Sequence, residues 1–152
     1  MAKEDGPTFS AEERAAMQAT VKERTAARSR KKADPETIRR EGEAEVLAKI
    51  AELEGSDREL AHAVHELVMD NAGHLLPRTY YGMPGYANAD GKIVLFFKPK
   101  AKFKVRYATI EFEWAAQLDD GHVWPTRYAI TALTDEDRDF LADRIRTAAP
   151  AE

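Results

Sequence analysis

The chain has no cysteine. That excludes a disulfide framework, a thiolate metal site and a cysteine nucleophile. Serine is nearly as scarce, standing only at positions 10, 29 and 56. Ser10 and Ser56 read as helix caps, so serine-based acyl transfer has no plausible nucleophile. Neither G-x-x-x-x-G-K-[ST] nor G-x-G-x-x-G occurs, and no phosphate cradle is visible. No apolar run approaches the ~20 residues of a membrane span. The charged N-terminus lacks the apolar stretch of a secretory signal. These absences lead us to expect a cytoplasmic protein with no membrane partner that belongs to no common enzyme class.

What is present fits one domain of ordinary size. The 152 residues are 43% hydrophobic and 33% charged, enough for a real core inside a large solvated periphery. The net charge of -4 hides an asymmetry. Residues 1–33 carry eight Lys or Arg against five Asp or Glu, net +3; the remainder carries 15 against 22, net -7. We therefore divide the chain into a basic, loosely docked helical arm and linker, residues 1–33, and an α+β domain, residues 34–152. A basic arm is either a solubilising tail or a contact for nucleic acid or an acidic partner.

Helix signals open the chain. Ser10 to Glu13 is a capping box with Phe9 as its staple, followed by helix-favouring residues to about Arg30. Arg28–Lys32 reads as a solvated linker. Asp34-Pro35 starts a second helix, weak around Gly42, with Val46, Leu47, Ile50 and Leu53 as its apolar stripe. Gly55 ends it. Ser56 to Glu59 reads as another capping box, opening a helix with Leu60, Val64, Leu67 and Val68 inward.

Pro77 marks a change of period. Both tryptophans and all five tyrosines lie between Pro77 and Ile130. Thr79–Tyr81 is β-prone, Gly82–Gly85 reads as a bend, and Asn88–Gly91 is a hairpin connection. Ile93–Phe97 is apolar on both faces, as in a central strand. Lys98–Lys102 reads as a turn, Phe103–Phe112 as a long strand, Trp114–Leu118 as a short helical turn and Thr126–Thr131 as a last strand. Thr134 caps a final helix with Phe140, Leu141 and Ile145 inward. The order helix, helix, strands, helix predicts an α+β fold: a mostly antiparallel sheet of about five strands with helices packed on one face, plus a helical N-terminal extension.

Four segments carry a family resemblance: Tyr80–Tyr86 (YYGMPGY), Gly91–Phe97 (GKIVLFF), Lys102–Tyr107 (KFKVRY) and Trp124–Tyr128 (WPTRY). Together they resemble the YdhG-like domain of unknown function, a bacterial family that includes frataxin-like intracellular iron chaperones. The resemblance covers roughly Leu47 to Ala148 and leaves the basic arm outside. It implies an α+β domain with an antiparallel sheet. It also implies a link to ferrous iron or an iron-acceptor protein. No metal-binding motif of the family maps residue by residue onto this chain.

Three sets of residues are candidates for function. Glu41, Glu45 and Glu52 share one helix face, and Asp135, Asp139 and Asp143 share another. Carboxylate oxygens suit weak, exchangeable ferrous iron, although solvated helix faces have the same composition. His62 with Glu66, and His122 beside Asp119 and Asp120, are weaker clusters, and His65 reads as a packed helix-edge residue. A basic-aromatic hairpin places Lys104 and Arg106 on one strand face, among Lys98, Lys100, Lys102, Phe96, Phe97, Phe103 and Tyr107. Such a face suits single-stranded nucleic acid or an anionic small ligand. Tyr81, Met83, Tyr86, Tyr107 and Trp124 come from separate strand ends and are expected to meet as a pocket or as filled core. The expectation is a non-enzymatic cytoplasmic binding protein, a frataxin-like iron chaperone by resemblance. The alternative is a nucleic-acid or anionic small-ligand module using the hairpin and the arm.

Overall fold

The computed structural model describes residues 10–30 and 34–151. Phe9, Lys31 and Lys32 lie outside them. In chain order the elements are α1 (Ala11–Arg30), α2 (Pro35–Glu52), α3 (Gly55–Asn71), β1 (Leu76–Tyr80), β2 (Met83–Ala87), β3 (Ile93–Lys98), α4 (Lys100–Phe103), β4 (Ala108–Phe112), β5 (Arg127–Ile130) and α5 (Asp135–Ala148). The strands form one sheet in the order β1-β2-β3-β4-β5, and every neighbouring pair is antiparallel. This is the expected α+β fold.

Capping follows the sequence at three helices. The Ser10 hydroxyl accepts from Glu13 N and the Asp34 carboxylate accepts from Thr37 N. Thr134 and Asp137 complete a reciprocal box at α5. Helix α3 differs: it opens at Gly55 with no side-chain cap. Asp57 is drawn away instead. Its buried carboxylate accepts from the backbone N–H groups of Lys100 and Ala101, two otherwise unpaired donors that open α4.

That contact overturns the long strand expected over Phe103–Phe112. Pro99 and the Asp57 carboxylate start a helical turn, which ends at Lys104 with a left-handed φ of 54°. Lys104 and Arg106 therefore do not share a strand face, and the pairing resumes only at Ala108. The bend expected at Gly82–Gly85 is also different. Tyr80 pairs with Met83, so the turn is the two residues Tyr81-Gly82, and Met83–Ala87 is an inner strand. Pro84 has no N–H to donate, and the β2–β3 ladder begins one residue later, at Gly85 with Phe96. Trp114–Leu118 is a turn and not a helix, closed by Ala116 N donating to Glu113 O.

The core lies between one sheet face and α2, α3 and α5. Tyr86, Leu95, Phe97, Ile110 and Phe112 meet Val46, Ile50, Val64, Val68, Leu141 and Ile145. Leu47 and Phe140, expected inward, are partly exposed. Phe140 packs edge-on against Tyr128 instead. Helix α1 sits elsewhere, at the end of the sheet formed by the β1–β2 turn and α4.

Gly42 explains the weak-looking start of α2. Gly42, Val46 and Ile50 are the buried residues of this helix, one turn apart. A Cβ at Gly42 would run into the carbonyl oxygen of Pro77 on β1. The glycine is the point where helix and strand backbones touch. In an exposed helix, Gly to Ala gains about 0.5–1 kcal/mol. Here Gly42→Ala is expected to lose about 1–3 kcal/mol, the usual cost of overpacking, as read by urea unfolding. A gain in stability would show that α2 and β1 are not in backbone contact.

Candidate functional site

The β1–β2 turn is the origin of the site. Two-residue hairpin turns of type I′ need positive φ at both positions, which Gly82 provides freely at 78°. Tyr81 sits at 50°, an unusual conformation for a bulky side chain. Its ring stacks edge-on against Tyr80, with centroids 4.6 Å apart, and Tyr80 in turn packs on Phe96. The turn leaves two adjacent backbone N–H groups outside the strand ladder. Both donate to one carboxylate on α1: Tyr81 N to Glu23 Oε2 at 3.0 Å and Gly82 N to Glu23 Oε1 at 2.8 Å.

Beside this contact lies a cleft of about 330 Å³. Thr20, Glu23 and Arg24 of α1 form one wall, and Arg78 to Tyr80 of β1 with Tyr81 of the turn the floor. Lys92 and the Glu113–Ala115 turn close the far side. Arg78 Nη1 donates to Gly91 O at 2.9 Å, which sets the guanidinium at the rim. Trp114 stands fully exposed there, at 102%. In β4, Ala108, Ile110 and Phe112 point into the core, so period-2 extrapolation would send Trp114 inward too. The chain leaves the strand at Glu113 and turns the indole outward.

Trp114 and Glu113 also border a second cleft, of about 800 Å³, with Glu111, Asp119, Trp124 and Arg127. A third, of about 300 Å³, lies under α1 between Met17, Tyr81, Met83, Phe96 and Phe103.

The sequence-predicted residues are thus spread over the molecule. Tyr81 and Met83 meet in the third cleft, and Trp124 lines the second. Tyr86 is on the other face of the sheet, because it lies an odd number of residues from Met83 along β2. It is fully buried and lines none of these clefts. Tyr107 carries the Arg106 guanidinium 4.9 Å from its ring centroid. Lys104 pairs with Glu12 of α1 at 3.1 Å. The five expected pocket residues do not form one cluster.

Nor do the carboxylates converge. Among the described residues, no three His, Cys, Asp or Glu groups come close enough to hold a metal ion. Asp143 is bonded to Arg144 at 2.7 Å, which holds its carboxyl below the usual range. Glu52 lies 3.5 Å from Lys49, and Asp135 and Asp139 are exposed. Carboxylates four apart form a row on one helix, about 5–6 Å between neighbours. A second element must face that row before ligands meet at metal distance. His62 and Glu66 pair at 3.4 Å on the exposed side of α3.

A polar chain runs from the core to the surface where no clustering was expected. His65 Nδ1 is 2.9 Å from the Tyr86 hydroxyl and its Nε2 is 3.1 Å from Glu43. A neutral imidazole protonated at Nε2 satisfies both contacts: Nε2–H donates to the carboxylate and Nδ1 accepts from the phenol. Burial, reinforced by Glu43, pushes the Tyr86 hydroxyl above the usual tyrosine range.

Comparison with known proteins gives no match among family models, curated proteins or solved structures.

Tyr86→Phe is expected to cost about 1–3 kcal/mol, because it strands His65 Nδ1 in the core. The pH dependence has a definite sign. The folded pKa is raised, so the stabilisation is complete below the unfolded value of 10 and is lost as pH rises above it. Urea unfolding at neutral and alkaline pH should show a shallower alkaline loss in Tyr86→Phe than in wild type. Equal slopes would mean that Tyr86 ionises freely in the folded protein.

Proposed function

We propose that this protein is a non-enzymatic binding protein for a small planar aromatic molecule carrying an acidic group. The site is the cleft between α1, β1 and the Glu113–Ala115 turn. One observation carries the reading: Trp114 is fully exposed at the rim of two adjoining clefts. An indole held in water forgoes the burial that makes such rings dominate binding sites. Tyr80 and Tyr81 supply further aromatic surface in the same cleft, and Arg24, Arg78 and Lys92 supply positive charge.

The cleft offers little for chemistry. The Thr20 hydroxyl is tied to Ala16 O, and Glu23 is occupied by two backbone N–H groups. The resemblance to the YdhG-like family agrees with a binding role. The iron-chaperone reading draws on that resemblance and on surface charge alone. We therefore expect ferrous iron to bind no better than magnesium in anaerobic titrations.

Naphthoate is a suitable probe, being planar, aromatic and anionic. It should bind saturably and quench tryptophan fluorescence. Trp114→Ala should weaken binding at least about tenfold, the effect of losing about 1.4 kcal/mol of contact. Arg78→Ala should weaken it too. Neither change should alter the circular dichroism spectrum. Unsaturable binding, or equal affinity for wild type and Trp114→Ala, would remove this reading.

A further inference from the structure

The grip on helix α1 is polar. Among its described side chains only Ala16 is buried, while Met17 and Val21 remain partly exposed, at 45% and 64%. An alanine methyl buries too little apolar surface to dock a helix of 20 residues. Two carboxylate contacts tie α1 to the rest of the fold: Glu23 on the Tyr81-Gly82 turn and Glu12 on Lys104.

The receiving side of the first contact is built like an anion site. Successive backbone N–H groups from residues with φ of 50° and 78° point at the two oxygens of one carboxylate. Such a concave pair of donors is an anion-binding nest. A cation lies beside Gly82. Lys102 Nζ lies 2.8 Å from where a Cβ of Gly82 would be, so any side chain at Gly82 would push it aside. Burial, and next the neighbouring Lys49, press the Lys102 ammonium below the usual lysine range, while Glu52 and then Glu23 oppose the shift. A partly buried ammonium beside two adjacent N–H donors favours an anionic acceptor. The bulky Tyr81 is held in a left-handed conformation to present one of those amides.

We infer that the Tyr81-Gly82 turn, with Lys102, is a carboxylate-binding site that Glu23 fills from within the chain, so that α1 and the carboxylate of an external ligand compete for it. The site adjoins the cleft assigned above, but it stands on the turn and would exist without an aromatic ligand. An incoming carboxylate replaces the two N–H···O bonds of Glu23 with two of its own, and the helix loses that anchor. The full-length chain then has two states, arm docked and arm released.

Sodium acetate tests this without bringing a ring near Trp114. Amide proton shifts of Tyr81 and Gly82 are followed by NMR in the full-length chain, with sodium chloride at equal ionic strength as control. In Glu23→Ala, acetate should move both amides downfield along a saturable curve that chloride does not reproduce. Wild type should need at least about tenfold more acetate, because the tethered carboxylate competes at high effective concentration. Lys102→Met in the Glu23→Ala background should weaken the response, and Glu23→Gln, with one amide oxygen, should fall between the two. If Glu23→Ala keeps its other amide shifts yet shows no saturable acetate response, the inference is wrong and Glu23 is a helix anchor only. Equal acetate midpoints in wild type and Glu23→Ala would also overturn it. Failure of naphthoate binding leaves these shifts unaffected, so the two readings fail separately.

Discussion

One buried hydroxyl ties β2 to the helices that cover it. Tyr86 reaches from the sheet to His65 on α3, and His65 reaches on to Glu43 on α2. A slip of β2 by one residue would carry Tyr86 to the opposite face. The imidazole would then lie in the core with an unmatched nitrogen, and apolar packing could not replace that contact. Since β2 is paired on both sides, its register propagates to β1 and β3. The polar chain therefore acts with the apolar face of the sheet to place the Tyr81-Gly82 turn and the side chains of the open face.

The two sides of the sheet are held by different forces. On the covered side, α2, α3 and α5 bury continuous aliphatic and aromatic surface, and Gly42 lets the α2 backbone touch β1. That contact is non-directional and strong in aggregate. At the sheet end, the described side chains of α1 contribute almost no apolar burial, and two of its carboxylates make the contacts. Polar contacts of that kind are exchangeable, because water and other anions can satisfy the same donors. The first and third clefts lie along this second boundary, and the exposed Trp114 borders the first.

Charge patterns on single helices proved less informative than the places where backbone donors are left unpaired. The acidic rows of α2 and α5 remain rows, with arginine or lysine beside Asp143 and Glu52. The basic segment after β3 is broken by α4, so its cations spread over a turn and do not align along a strand. Asp57 and Glu23 show the other pattern: each carboxylate faces two backbone N–H groups supplied by a distant segment. One starts a helix and the other docks one. Neither partnership is visible in local spacing.

Short-range physics was legible in the sequence. Caps at Ser10, Asp34 and Thr134, the Asn88–Gly91 connection, the apolar strand Ile93–Phe97 and the inward stripe of α3 all follow from rules acting within a few residues. Together they determine an antiparallel α+β domain. Tertiary contacts decided the rest. Asp57, 43 positions before Lys100, turned an expected strand into α4. Glu23, 58 positions before Tyr81, turned a free hairpin tip into an occupied anion site. Pro77 made Gly42 a contact point and not a weakness. The release of the chain from β4 at Glu113 put Trp114 in solvent against its strand period. Propensity and periodicity act between neighbours in the chain. A buried carboxylate, a missing Cβ or an unpaired N–H acts between neighbours in space, and the fold alone determines those.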